Sequence, residues 1–307
     1  MGRLTRSIAA WALASACVAN AAAITAIDDA GRTLALDRPA TRVVTLAPSL
    51  TELVFAAGGG DAVVATDALS NYPPPARRLP RVGDASRLDV ERIVALKPDL
   101  VIVWRHGNTM RELEQLESAG LRLFRLEPRR LNDVPRAVER LGALLGHEAV
   151  ARNAANALRS RLDSLRQRHA HATPVRVFYQ VWSSPLMTIN HAQMVNDVIE
   201  LCGGRNVFAA LAPLVPLVST EAVVAADPEA ILTADERGAT ELLRRDRTGA
   251  AFAIWRRHLF SATKGGWLYV LNGDAISRQG PRIVDGAEAV CDALDEVRRE
   301  RDAVHLR

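Results

Sequence analysis

Apolar residues return every three to four positions between Glu148 and His169: Ala151, Ala154, Ala155, Leu158, Leu162 and Leu165. Arg152, Arg159, Arg161, Asp163, Arg166 and Arg168 fall largely between them, which predicts one helix with a single buried stripe. No Gly or Pro interrupts it. Gly146 closes the helix before it, and Pro174 stops it near Thr173. At ~1.5 Å per residue the helix reaches roughly 33 Å, about the width of a small domain.

The segments on either side of this helix resemble each other. Asp89 to Val103 reads DVERIVALKPDLVIV, and Ser219 to Thr233 reads STEAVVAADPEAILT. Glu91, Val94, Ala95 and Pro98 match Glu221, Val224, Ala225 and Pro228 at a separation of 130 residues. Each predicts a short helix, a Pro turn and a buried strand. The separation is too long for a solenoid unit and suits two lobes of similar design joined by one helix.

Around these, hydrophobic runs alternate with helical periods. A small edge hairpin is predicted around Asp29-Ala30-Gly31. Strands are predicted at Arg42–Ala47, Ala62–Thr66, Leu100–Trp104, Leu121–Leu126, Val175–Trp182, Ile231–Thr233 and Trp267–Leu271. Helices are predicted at Thr51–Ala57, Asp89–Lys97, Asn108–Ser118, Asn132–Leu145, Met194–Leu201, Ser219–Ala226, Thr240–Arg245 and Pro281–Arg301. Gly58-Gly59-Gly60 reads as a turn, because it lacks the spacing of a phosphate loop. The fold class is therefore α/β: two Rossmann-like lobes with mainly parallel sheets, joined by a single long α-helix. The expected organisation is a signal peptide over 1–23, a first lobe over 24–146, the connecting helix over 147–172 and a second lobe over 173–307.

Composition narrows the class. Apolar content is 49% and charged content 24% over 307 residues, which is a globular, soluble balance with chain enough for two cores. The formal charge is +4, and Arg3 and Arg6 supply two of it, so the remainder is too weakly basic to argue for nucleic acid. Arg298, Arg299 and Arg301 read as the solvated end of the last helix.

Arg3 and Arg6, the apolar run Ile8 to Val18 and small residues up to Ala23 form an export signal, so a periplasmic location is expected. The run is too short to span a bilayer. Ala14-Ser15-Ala16-Cys17 is loosely like a lipoprotein signal, without the Leu expected three before the Cys. After cleavage Cys202 and Cys291 remain, an even pair that reads as a disulfide in an oxidising compartment; two separate buried thiols are the alternative. A bridge would close a loop of about 90 residues, worth roughly 2–4 kcal/mol.

The segments RVVTLAPSLTELVFAAG (42–58), NYPP (71–74), VERIVALKPDLVIVWRHGN (90–108), IELCGGRNVF (199–208), STEAVVAADPEAI (219–231) and DAISRQGPR (274–282) carry a resemblance to a known family. The chain resembles periplasmic substrate-binding proteins of ABC transporters, in the class with a helical backbone between two lobes. It lies nearest the branch that binds vitamin B12 (cobalamin). The order and spacing of the segments, from about Arg42 to Leu294, are specific to the class and less specific to the ligand.

The resemblance implies a receptor that binds cobalamin or another corrinoid in the interlobe cleft and delivers it to an inner-membrane permease with its ATPase subunits. Haem or an iron-siderophore is the alternative ligand. It also implies that Glu91 and Glu221 dock onto permease arginines, that Asp274 and Arg278 contact the ligand's polar side chains, and that Cys202 and Cys291 pair. Where the cobalamin branch sets aromatic rings, this chain has Leu69, Ala85, Met187 and Val215. Tyr72, Trp104 and Trp182 lie near strand ends and could substitute.

Parallel sheets bind ligands beyond the carboxyl ends of their strands. That rule and the resemblance together select Ser49, Leu69, Tyr72, Trp104, Arg105, Trp182, Met187, Val215, Asp274 and Arg278 as ligand-binding candidates. This mix of apolar residues and a few polar handles suits a large amphiphilic ligand. The stiff helix predicts little lobe closure, and a monomer is expected.

An enzyme of the same fold class lacks support: there is no G-x-S-x-G elbow, Walker loop or paired acid–base carboxylate spacing. Resident cofactors and metals are not expected either. His106, His147, His169, His171, His191, His258 and His305 include no i, i+4 pair. His169 and His171 read as solvent-facing at a helix end, and His106, in the cleft, could ligate the metal of a haem or cobalamin.

Overall fold

A computed structural model describes residues 23–235 and 241–305. The leader before Ala23 lies outside the described residues. The edge hairpin forms as β1 (Ile24–Ile27) and β2 (Thr33–Leu36), with Gly31 at φ 77° in the left-handed region its turn requires. Then come β3 (Val43–Thr45), α1 (Pro48–Ala56), β4 (Val63–Thr66), α2 (Val90–Ala95), β5 (Leu100–Trp104), α3 (Met110–Ser118), β6 (Leu123–Leu126) and α4 (Asp133–Leu145). These four later strands form a parallel sheet in the order β4-β3-β5-β6. The central strand β5 is a continuous apolar run because both of its faces are covered.

The long helix α5 runs from Glu148 to His169, as its periodicity predicts. Ala151, Ala155, Leu158, Leu162 and Leu165 are its buried stripe. One continuous hydrophobic cluster runs from Val43 and Leu53 of the first lobe through Leu158 and Leu162 to Val177 and Leu294 of the second. The joint is thus part of the core. Separate apolar clusters cover the outer face of each sheet.

The second lobe holds β7 (Val175–Gln180), β8 (Trp182–Ser183), β9 (Leu186–Met187), α6 (Met194–Leu201), β10 (Gly204–Asn206), α7 (Thr220–Ala226), β11 (Ala230–Asp235), β12 (Leu243–Arg245), α8 (Ser261–Gly265), β13 (Leu268–Asn272), α9 (Gly273–Ile276) and α10 (Ile283–His305). Its sheet order is β10-β7-β11-β13-β12, parallel except for β12. The Val175–Trp182 strand stops at Gln180, and Trp182 begins a separate two-stranded ribbon with Met187.

The sequence repeat is a repeat of structure. Asp89 caps α2 by accepting from the Arg92 amide at 3.0 Å, and Ser219 caps α7 by accepting from the Ala222 amide at 3.1 Å. Each helix then turns through a residue with positive φ before a proline: Lys97 at 47° ahead of Pro98, and Asp227 at 44° ahead of Pro228. A residue before proline is pushed out of the right-handed helical region, which ends both helices within one residue of the same place.

Three expectations are corrected. The helix predicted over Thr240–Arg245 is strand β12 over 243–245, with Thr240 outside the described residues. Leu243 pairs with Leu271 and Arg245 with Tyr269, so the backbone edge of β13 gains hydrogen-bond partners that a helix could not supply. Arg298 and Arg301 are not a solvated helix end. The Arg298 side chain donates to the carbonyls of Thr173, Cys202 and Gly203 at 2.8, 2.7 and 3.1 Å, while Arg301 holds Glu229 at 2.9 Å. His169 is buried, bonded to the Leu165 carbonyl at 2.8 Å and to Asp295 at 3.1 Å, because α10 covers the end of α5. Cys202, at the end of α6, and Cys291, in α10, form the disulfide.

Candidate functional site

The C-terminal ends of the sheet strands deliver the loops that face the gap between the lobes. In the first lobe a chain of buried hydroxyls fixes the loop after β4. Thr45 meets Thr51 at 2.6 Å, Thr51 meets Ser70 at 2.7 Å, and Ser70 donates to Asp67. Burial pushes the Asp67 carboxyl up, against the pull of Ser70, the Leu69 amide, Arg278 and Arg81. The loop so held presents Leu69 and Tyr72 outward, 65% and 43% exposed. Exposed apolar side chains on a rigid loop suit contact with a ligand.

The second lobe contributes Asp274 from α9 and Arg278 just after it, an ion pair at 2.8 Å. Both reach across to the first lobe. The Asn71 amide donates to Asp274 at 2.9 Å, and Arg278 donates to the Asn71 side-chain oxygen at 2.7 Å. Arg282 donates twice to Glu52 of α1, at 3.0 and 2.6 Å, and lies 4.4 Å from the centre of the Tyr72 ring. Burial disfavours the Arg282 charge, but Glu52 and Asp274 outweigh it and hold the guanidinium above its ordinary range. Ser49 is half-buried at the same junction, where its backbone faces Gly280.

Leu69, Tyr72, Asp274 and Arg278 are therefore brought together. Trp182, 56% exposed, pairs with the half-buried Met187 in the ribbon after β7; Met187 also bridges to Leu217, near the half-buried Val215. Ala85 is exposed, in the loop before α2. Trp104 turns back onto Gly107, where any side chain would meet its ring, and its indole nitrogen has no hydrogen-bond partner among the described residues. Arg105 is spent on the Asp29 carbonyl at 2.7 Å and so braces the edge hairpin. His106 is bonded to Glu127 at 2.6 Å. Among the described residues no group of three or more His, Cys, Asp or Glu is placed to hold a metal.

Glu52 was not singled out by sequence reasoning, nor were Asn71 and Arg282. A signal existed for Glu52: it is the one charged residue in the apolar helix Pro48–Ala56, flanked by Leu50 and Leu53. A buried lone carboxylate demands a cation from elsewhere in the fold.

Glu91 and Glu221 are exposed in the first turns of α2 and α7. Backbone and Ser219 hydrogen bonds hold the Glu221 carboxyl below its usual range. An open groove of about 1190 Å³ runs beside Glu91 and includes Arg87, Arg92 and Arg111. Between the lobes, against α5, a smaller hollow of about 390 Å³ is lined by Glu52, Phe55, Tyr72, Leu158 and Arg282. Among the described residues no helix is long and apolar enough to cross a membrane.

Residues 43–273 match the family described as periplasmic binding protein. The chain is 36% identical over 261 residues to a vitamin B12-binding protein of Vibrio cholerae, covering 85% of this chain and 91% of that one. The crystal structure of a periplasmic vitamin B12-binding protein of Vibrio cholerae superposes with a TM-score of 0.74 at 35% identity, over 84% of this chain and 98% of that one. A periplasmic haem-binding protein from Pseudomonas aeruginosa superposes with a TM-score of 0.71 at 27% identity, over 83% and 92%.

Proposed function

The chain belongs to the periplasmic binding protein family, and from that premise we propose that it captures cobalamin or another corrinoid between its lobes and hands it to an inner-membrane permease driven by ATPase subunits. The observation that carries the ligand is the 36% identity to a vitamin B12-binding protein across nearly the whole mature length. The cleft is consistent with it. Leu69, Tyr72 and Trp182 offer apolar faces for a large flat ring, and Asp274 with Arg278 offers one acceptor and one donor for amide side chains. Met187 and Val215 extend the apolar wall, with Ser49 at its inner end. Family and relatives are binding proteins for transport, so the chain is not an enzyme.

The lobes are taken as 24–146 and 173–307, with 147–172 as the joint and 1–23 as a cleaved leader placing a monomer in the periplasm. Glu91 and Glu221, one per lobe in matching first turns, are the proposed prongs for permease arginines. Haem is the second reading, favoured by the likeness to the Pseudomonas aeruginosa protein and by the loss of aromatic residues at positions 69, 85, 187 and 215. A ferric siderophore is the other member of that alternative.

The test is calorimetric titration of the purified protein with cyanocobalamin, haem and ferric siderophores side by side, with tryptophan quenching as a second readout. Saturable one-to-one binding of cyanocobalamin, at least about tenfold tighter than the others, is expected. Tighter binding of haem or a siderophore would replace the corrinoid reading, and silence with all three would remove the ligand claim.

A further inference from the structure

Four charged side chains, two of each sign, meet where the lobes face each other. Glu52 rises from α1 of the first lobe, and Asp274, Arg278 and Arg282 come from α9 and the segment leading to α10 in the second. Glu52 takes Arg282 on both oxygens, and one of them also takes Arg278 at 3.2 Å. Asp274 holds Arg278 from the other side and lies 3.8 Å from Arg282. The Glu52 side chain is 1% exposed, and those of Asp274, Arg278 and Arg282 are 17–18% exposed. Arg278 also touches the Leu69 carbonyl at 3.4 Å, so this array adjoins the exposed apolar loop of the cleft.

Glu52 is fixed. Both oxygens are engaged in charge-assisted hydrogen bonds, and its burial leaves no water to replace them. A neutral amide reaching the rim can donate to Asp274 and accept from Arg278 without changing the local charge. A carboxylate reaching the same guanidinium meets cations already matched by Glu52 and Asp274, and it adds a third negative charge beside them. Buried Asp67, whose carboxyl also feels Arg278 and Arg81, adds to the same sign.

We infer that Glu52 is a specificity-determining residue: by matching Arg278 and Arg282 from beneath, it makes the cleft favour ligands that present neutral amides over ligands that present carboxylates. This rests on the corrinoid reading and extends it to a selection rule. Corrinoids with intact side-chain amides are admitted. Their partly hydrolysed acids, and the dicarboxylate haem, are penalised.

The experiment measures binding of cyanocobalamin and of each of its three propionamide-derived mono-acids to four proteins: wild type, Glu52→Gln, Arg282→Gln and the double variant. The quantity read is the ratio of amide to acid affinity at neutral pH. The wild type should favour the amide. Glu52→Gln should shrink that preference by about 10- to 100-fold for at least one mono-acid, the worth of one charge-assisted hydrogen bond. Arg282→Gln leaves an excess of negative charge and should widen the preference. The double variant restores the charge balance and should return the ratio to near the wild-type value, which a merely structural role for Glu52 would not do. Should Glu52→Gln fail to fold, the sign of the Arg282→Gln shift decides. A wild type that binds cyanocobalamin, with ratios unmoved in the variants, overturns this inference alone. A wild type that binds no corrinoid overturns the ligand reading beneath it.

Discussion

Replacing Gly142 by Ala sets two effects of opposite sign against each other. Gly142 lies in the last turns of α4, facing α5, and a methyl there would sit 2.1 Å from the methyl of Ala151. In a free helix the change should gain about 1 kcal/mol. Here neither methyl can swing away, because each is fixed to its backbone, so the helices must part by about 1.5–2 Å to reach van der Waals contact. The Glu139–Arg159 bonds at 2.7 and 2.6 Å and the tight Gly146 turn resist that parting. Overpacking of this kind costs about 1–3 kcal/mol, and the absence of a rotamer escape puts it in the upper part of that range.

The net expectation is a loss of about 1–2 kcal/mol and a fall in Tm of roughly 2–4 °C. Denaturant titration and calorimetry measure it. Ala151→Gly alone should lose about 1 kcal/mol of helix propensity, whereas the Gly142→Ala, Ala151→Gly pair should return close to wild type, because clash and propensity terms both cancel. A Gly142→Ala protein as stable as the parent, or more so, would refute the claim that the joint is seated by this close approach.

Further expectations can be checked in parallel. Glu91→Ala combined with Glu221→Ala should abolish uptake in a transport assay while ligand affinity stays within about twofold, since both side chains are exposed and neither bonds to Asp274 or Arg278; weakened affinity would mean these residues do not serve docking. Replacing Cys202 and Cys291 by Ala removes a bridge between positions 89 residues apart and should cost about 2–4 kcal/mol, measured by urea unfolding. Arg298→Ala should destabilise by about 2–3 kcal/mol by denaturant titration, because three carbonyls lose a charged donor at the end of α5. Arg245, with Trp267, draws the Glu300 carboxyl from 4.5 down to about 2. A depressed carboxyl contributes stability that is present above about pH 4.5 and is lost as pH falls through about 2. Arg245→Gln should flatten that acid limb modestly, because the half-exposed Glu300 is screened by solvent; an unchanged slope would count against the pairing.

Much of this protein was legible without coordinates. The 3.6-residue period of Glu148–His169 specified a helix with the bounds observed, because an unbroken stripe with stop signals at both ends leaves no other regular structure. The matched Lys97-Pro98 and Asp227-Pro228 turns follow from local sterics, so the two-lobe repeat could be read from residues near each other in the chain. The apolar run of β5 announced a strand covered on both faces. Where partners are distant, the sequence was silent or misleading. Thr240 to Arg245 reads as a helix in sequence, but the open edge of β13 claimed Leu243–Arg245 as a strand. His169 and Arg298 look like surface residues until α10 folds over the end of α5, bringing Asp295 to His169 and Arg298 to the carbonyls of Thr173, Cys202 and Gly203. Glu52 and Arg282 stand 230 positions apart, and only the meeting of the lobes makes them a pair. Backbone geometry and hydrophobic period act over a few residues and are written locally. Charge pairing across a cleft depends on where remote segments come to rest, and that was decided by the tertiary structure alone.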